Sequence, residues 1–242
     1  MWMRSRVVAV VPAWDEAPRI GRVMRAMPEW VDAVVVVDDA SRDATSEAAR
    51  AVGDPRVHVV RHERNRGVGA AIATGYRRAS ELTSGERDVF AVMAGDGQMD
   101  PHDLPALVDP VVRGDADYVK GNRFGSRDVV RTMPPSRLLG GLAFSWATSR
   151  AIGVSVADSQ CGYTALARAA WAQLDLDRLW PRYGYPNDLL SQLALRRLRI
   201  AEVPVRAVYA DEVSRLKPRH VPVVAAVVAR AWVRRIRAAR LG

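Results

Sequence analysis

Apolar runs and polar interruptions alternate along the first half of the chain. RVVAVVP (6–12), AVVVVDD (33–39), RVHVVRH (56–62), DVFAVM (88–93) and ADYVKGN (116–122) are short and rich in valine, as buried strands are. Between them lie segments with helical spacing: Ala17–Met27, a stretch from Ser41 or Asp43 to about Ala51, Val68–Leu82 and Pro101–Arg113. Pro18 is compatible with a first helical turn, and Ser41 or Asp43 with a helix cap. Strands apolar on both sides, separated by helices, belong to a mostly parallel sheet flanked by helices on both faces. The fold class is therefore α/β.

The second half is less regular. LLGGLAFSWATSRAI (138–152) predicts a helix, and DSQCGYTALAR (158–168) a short strand and turn leading into another. Pro186–Leu198 predicts a helix, RIAEVPVRAVY (199–209) an extended strand, and the tail from about Arg219 a further helix. No composition break or internal repeat divides the chain, so a single domain over 1–217 is expected, followed by a basic amphipathic helix over 218–242.

Composition adds exclusions. A single cysteine, Cys161, rules out a disulfide framework or a Cys-based zinc site, and the four histidines lack ligand spacing. No apolar run reaches the roughly 18–20 residues of a membrane span, and MWMRSRVVAVVPAW does not read as a signal peptide, so a cytoplasmic location is expected. The net charge of +9 suggests an anionic partner, with a solvated basic face as the competing reading. The basic residues are dispersed and no nucleic-acid-binding signature accompanies them, so nucleic acid is not the expected partner.

In open α/β sheets ligands bind beyond the carboxyl ends of the strands. Three strands here end in polar clusters: Pro12-Ala13-Trp14-Asp15-Glu16, Asp38-Asp39-Ala40-Ser41 and Asp96-Gly97-Gln98. Carboxylates gathered at one rim repel one another, and a cation with a phosphorylated ligand offsets that cost. Gly95 and Gly97 allow close approach, while Asp96 and Gln98 offer oxygens to a hard ion such as Mg²⁺ or Mn²⁺. An ordinary Asp-Gly turn is the competing reading. GVGAAIATG (67–75) lacks the third glycine of a dinucleotide fingerprint and follows the third strand, so close helix packing with Asn65 and Gly67 in the turn is expected.

Taken in order, VVPAWDEAPRI, VVVVDDASRDAT, ERNRGVGAAIATGY, VMAGDGQMDP, VKGNRF, DSQCGYTALAR, YGYPNDLL, EVPV and VSRL resemble the family 2 glycosyltransferases of the GT-A fold. The similarity is to the branch that makes polyprenyl- and dolichyl-phosphate sugars, over about residues 6–217. The resemblance implies that Pro12, Ala13, Asp15, Glu16, Asp38, Asp39, Asn65, Gly67, Gly95 and Asp96 hold the nucleotide. It implies a metal, Mg²⁺ or Mn²⁺, at Asp96 and Gln98. Arg123, Ser214 and Arg215 match positions near the diphosphate or the acceptor phosphate, and Asp188 lies where the wider family places an acidic base. Ala94-Gly95-Asp96 stands in place of the family's Asp-x-Asp, and Asp15 in place of an asparagine.

The resemblance further implies inverting transfer of a hexose from a UDP- or GDP-sugar to a polyprenyl phosphate. Transfer to a saccharide or small-molecule hydroxyl, and nucleotide-sugar binding without turnover, are the alternatives. A phosphate acceptor, with a second pKa of about 6, needs no general base, whereas a hydroxyl acceptor would require Asp188. In the tail, Arg230, Arg234 and Arg237 fall on one helical stripe, with Trp232 among apolar neighbours. Such a helix suits peripheral attachment at the inner face of an anionic membrane, or packing on the domain or on a partner in a homodimer.

Overall fold

The computed structural model describes residues 1–125, 131, 133–206 and 220–241. Seven strands form one sheet: β1 (Val7–Ala13), β2 (Ala33–Asp38), β3 (Val57–Arg61), β4 (Val89–Val92), β5 (Tyr118–Asn122), β6 (Thr164–Ala167) and β7 (Ile200–Pro204). Their order is β3-β2-β1-β4-β6-β5-β7. All neighbours run parallel except β6, which pairs antiparallel with both β4 and β5. The valine runs occupy the central strands, where β2 and β4 are buried along their whole length.

The helices are α1 (Ala17–Arg25), α2 (Thr45–Arg50), α3 (Val68–Glu81), α4 (Leu104–Arg113), α5 (Pro135–Ile152), α6 (Arg168–Trp171), α7 (Tyr185–Leu195) and α8 (Val221–Leu241). Two boundaries differ from the sequence reading for local reasons. Pro134 takes extended backbone and Pro135 opens α5 a turn early, because a proline in the first turn gives up only an N–H that lacks a helical partner. The helix expected over 186–198 stops at Leu195, after which Arg197 turns left-handed at φ 56°. The strand expected over 199–209 is β7 as far as Pro204, and its last residues lie outside the described ones.

The chain lays β2 and β3 to one side of β1 and then crosses to place β4 on the other. This reversal opens a crevice at the carboxyl ends of β1 and β4. Register puts Ala13 beside Asp38, and the amides of Met93 and Gly95 reach the carbonyls of Val10 and Pro12. The three polar clusters of the sequence thus share one margin of the sheet.

The glycines of 67–75 serve close packing. A Cβ on Gly75 would sit 2.2 Å from Val10 Cγ1, and one on Gly69 would sit 2.2 Å from the Trp180 carbonyl oxygen. Helix α3 therefore presses directly on β1 and on the backbone before α7. Its N-terminus is closed by the Pro181 carbonyl, which accepts from the Ala70 amide. Helix α8 lies across α5 and α7, burying Val224, Val227 and Ala231.

Alanine in place of glycine inside a helix gains about 1 kcal/mol of intrinsic propensity, but overpacking costs about 1–3 kcal/mol. Gly69→Ala must move backbone whereas Gly75→Ala meets a side chain, so the first is expected to lower the melting temperature more. Thermal unfolding of both variants beside the parent checks the order.

Candidate functional site

The first two rim turns are stitched together by side chains. Ser41 Oγ accepts from the Asp15 amide, Thr45 Oγ1 from the Glu16 amide and Asp43 from the Ala17 amide. The expected caps thus work across the rim: Ser41 and Asp43 bind the start of α1, and Asp43 also accepts from the Thr45 amide at the start of α2. In return Asp15, at φ 53°, accepts from the Arg42 backbone and guanidinium at 2.7 and 3.0 Å. Arg42 lies over the Trp14 ring. Glu16 is buried and pairs with Arg19.

Asp38 and Asp39 are buried and face different neighbours. Asp38 accepts from the Ser41 amide, the Ser46 hydroxyl and Arg61. Burial raises its pKa, but those hydrogen bonds and the Arg61 charge outweigh it and hold the carboxyl below its usual value. Asp39 accepts from His62 Nδ1 at 2.7 Å and from the amides of Arg66 and Gly67 at 2.8 and 2.7 Å. Asn65 Nδ2 donates to the Asp39 carbonyl. Asn65 and Gly67 are therefore tied to this carboxylate, and a Cβ on Gly67 would collide with the Pro181 carbonyl.

Asp96 sits in a tight turn, where its Oδ1 accepts from the Gln98 amide at 3.0 Å. Gly95 packs against Pro12 and Ala13, and a Cβ there would come within 3.0 Å of Ile20 Cδ1. Gly97 has φ 77°, a conformation most residues avoid. Among the described residues no three His, Cys, Asp or Glu side chains form a ready-made metal cage. Mg²⁺ and its relatives do not require one: one or two carboxylates, water and ligand phosphates complete their shell. The donor set of Asp96 and Gln98, at a glycine-lined rim, fits such an ion.

Beside Gln98 opens a cleft lined by Met99, Arg123, Arg137, Gly162, Tyr163 and Arg206, among others. Arg123 is held by the buried Asp158 through 2.7 and 2.9 Å bonds from Nε and Nη2. Asp158 also accepts from the Cys161 and Gln160 amides. Burial raises its pKa, but Arg123 and the nearby Lys120 outweigh that and hold it low. Lys120 is wholly buried and donates to the Cys161 carbonyl; burial pulls its pKa down, against the charges of Asp158 and Glu202. Arg206 pairs with Asp103 at 2.9 Å and reaches Asp100 at 3.4 Å.

Of the residues singled out in the sequence, Gln98 and Arg123 line the cleft, while Pro12, Ala13, Asp15, Glu16, Asp38, Asp39, Asn65, Gly67, Gly95 and Asp96 belong to the rim. Ser214 and Arg215 lie outside the described residues. Sequence reasoning missed Arg137, Arg206 and the orienting pair Asp158 and Lys120. Asp158 opens the DSQCGY segment, and a carboxylate among small polar residues was the available signal. Nothing marked Arg137 or Arg206 among so many arginines.

Asp188 is not among the residues that line the cleft. It is fully buried, with Oδ2 accepting from the Trp180 amide at 2.9 Å and Oδ1 from Arg234 of α8 at 2.6 Å. Two of the three arginines of the tail stripe reach the protein, while Arg237 is exposed. Arg234 binds Asp188, and Arg230 donates to the Arg178 carbonyl at 3.4 Å. A buried carboxylate needed a counter-ion, and this requirement turned the stripe inward.

Known proteins resemble the chain over most of its length. Undecaprenyl-phosphate mannosyltransferase of Micrococcus luteus is 34% identical over 83% of this chain and 82% of its own. UDP-N-acetylglucosamine–dolichyl-phosphate N-acetylglucosaminyltransferase of Methanococcus voltae is 27% identical, covering 85% of this chain and 86% of its own. Glucosyl-3-phosphoglycerate synthase of Mycobacterium tuberculosis, solved with Mn²⁺, UDP and glucosyl-3-phosphoglycerate, superposes with a TM-score of 0.71. It is 22% identical, covering 94% of this chain and 80% of its own, a likeness of fold. The family model "Glycosyl transferase family 2" matches residues 8–170. With that match and the GT-A-like sheet, the chain belongs to glycosyl transferase family 2.

Proposed function

We propose that this glycosyltransferase moves a hexose from a UDP- or GDP-sugar to a polyprenyl phosphate, with inversion, as a peripheral enzyme at the inner face of a membrane. One observation carries the reading: Gln98, next to the candidate metal ligand Asp96, also lines a cleft with three arginines. A donor diphosphate and an acceptor phosphate would meet there. On this reading residues 1–217 carry the transferase and 218–242 a helix that attaches it.

The donor lies over Pro12, Ala13, Asp15 and Glu16, with its base toward the Asp38–Asp39 margin and the Asn65–Gly67 turn. Asp38 and Asp39 act there mainly by fixing the backbone, since both carboxylates already hold several donors. Mg²⁺ or Mn²⁺, held by Asp96 and Gln98, would supply positive charge to the leaving diphosphate. Arg123, aimed by Asp158, and Arg137 grip phosphate oxygens through charge-assisted hydrogen bonds. Ser214 and Arg215 join them by resemblance to the family. An acceptor phosphate oxygen attacks the anomeric carbon opposite the diphosphate, the C–O bond to the diphosphate breaks, and the configuration inverts.

Two features favour a phosphate over a hydroxyl acceptor. The cleft is lined by cations, and the one candidate base, Asp188, is buried with both oxygens engaged. A phosphate monoester with a second pKa of about 6 is already an anion at neutral pH and needs no base. On this reading Asp188 anchors α8 and does not take the acceptor proton. The polyprenyl-phosphate relatives lend the same acceptor class.

In a thermal-shift panel, UDP or GDP with Mn²⁺ or Mg²⁺ is expected to raise the melting temperature, and Asp96→Ala to abolish the metal's share. No response to any nucleotide overturns the donor assignment. Arg137→Ala is expected to raise KM for a polyprenyl phosphate at least about tenfold, a lost charge-assisted hydrogen bond being sufficient for that. Asp188→Asn is expected to lower the melting temperature by leaving Arg234 without its counter-charge, while turnover per folded enzyme drops less than about tenfold, well short of the loss of a general base. A larger loss of turnover with donor binding intact would point to a hydroxyl acceptor.

A further inference from the structure

Helices α5 and α8 each carry a second apolar stripe that faces outward. On α5 it is Leu139, Leu142 and Trp146, spaced i, i+3, i+7, of which Leu139 and Trp146 are each 67% exposed. On α8 it runs through Ala225, Ala229, Trp232, Ile236 and Ala239, with Trp232 54% exposed. The two helices pack against each other, leaving between them a groove of about 750 Å³ with Trp146, Trp232 and Ile236 among its lining. This stripe on α8 is distinct from the arginine stripe that faces α7.

Charge separates the possible occupants. Neither helix contains an Asp or Glu, while together they hold Arg137, Arg150, Arg230, Arg234, Arg235, Arg237 and Arg240. Two of these border the groove: Arg150 lies 6.0 Å from the Trp146 ring centre, and Arg235 donates to the Arg150 carbonyl at 2.9 Å. A second copy of the chain seated on this face would oppose arginines to arginines. An anionic bilayer meets both needs, with acyl chains against the leucines and indoles and headgroup phosphates beside the arginines. No helix among the described residues is long and apolar enough to cross a membrane, so the face would lie in the interface. Helix α5 also reaches the cleft, which Arg137 of its first turn lines.

We infer that the outward face of α5 and α8 seats the enzyme on an anionic lipid bilayer, with Trp146 and Trp232 as its apolar anchors. This rests on the polyprenyl-phosphate reading for its purpose, but not for its geometry. It assigns membrane contact to two helices and moves it away from the Arg230–Arg234 stripe.

Co-sedimentation of the full chain with vesicles of phosphatidylglycerol and phosphatidylcholine, against phosphatidylcholine alone, tests the inference. The parent is expected to bind the anionic vesicles with a blue-shifted tryptophan emission, and the W146S/W232S variant to bind at least about tenfold more weakly. The nucleotide-induced thermal shift of that variant should match the parent's, which guards against misfolding. Failure of the parent to bind, undiminished binding by the variant, or a dimer that the double substitution dissolves would each overturn the inference. Transfer to a short-chain, water-soluble polyprenyl phosphate without vesicles keeps the two readings apart. If transfer proceeds while vesicle binding fails, only the docking surface is lost. If vesicles are bound but no such acceptor is used, the face stands and the acceptor assignment falls.

Discussion

The carboxylate of Asp39, buried at the end of β2, organises the rim formed by β1, β2 and the start of α3. Taken out of water, it must be supplied with hydrogen-bond donors from the protein, and it gathers them from two places. His62 comes from the end of β3, the Arg66 and Gly67 amides from the start of α3, and its own backbone amide bonds the Ala13 carbonyl at the end of β1. That arrangement fixes α3 over the rim. Because α3 has glycine where it meets its neighbours, it then settles against β1 and against the backbone at Trp180 and Pro181.

The same logic continues across the fold. The Trp180 amide binds Asp188, Asp188 binds Arg234, and α8 is thereby fixed to the domain. At the cleft Asp158 does for Arg123 what Asp39 does for α3: a buried anion holds a cation in place. Polar groups placed out of water are rigid because every alternative position leaves them unsatisfied. Both sides of the crevice between β1 and β4 are positioned in this way.

Much of this was legible in the chain, and the limits have physical causes. Valine runs and helical spacing reveal which segments are strands and helices, so the layered α/β order could be read. The three polar strand ends could be placed on one margin because parallel strands put their carboxyl ends on the same side. The antiparallel run of β6 could not be read, since four residues of Thr164–Ala167 carry no direction in their side chains. Nor could the inward turn of the Arg230–Arg234 stripe. It depends on where a carboxylate some forty residues earlier is buried, and periodicity within α8 says nothing of that. Asp38 illustrates a third limit: its serine and arginine partners come from the following turn, α2 and β3, and nothing at the strand end announces them.

The Asp188–Arg234 contact also bears on how separable the last helix is. Among the described residues Arg234 is the one side-chain cation bonded to the fully buried Asp188, so α8 completes the interior as well as presenting an outer surface. Deleting the tail would strand an anion in the middle of the protein, and α7 would have to shift to give it another partner. A shortened protein would suffer for that reason even in a test tube containing no lipid at all.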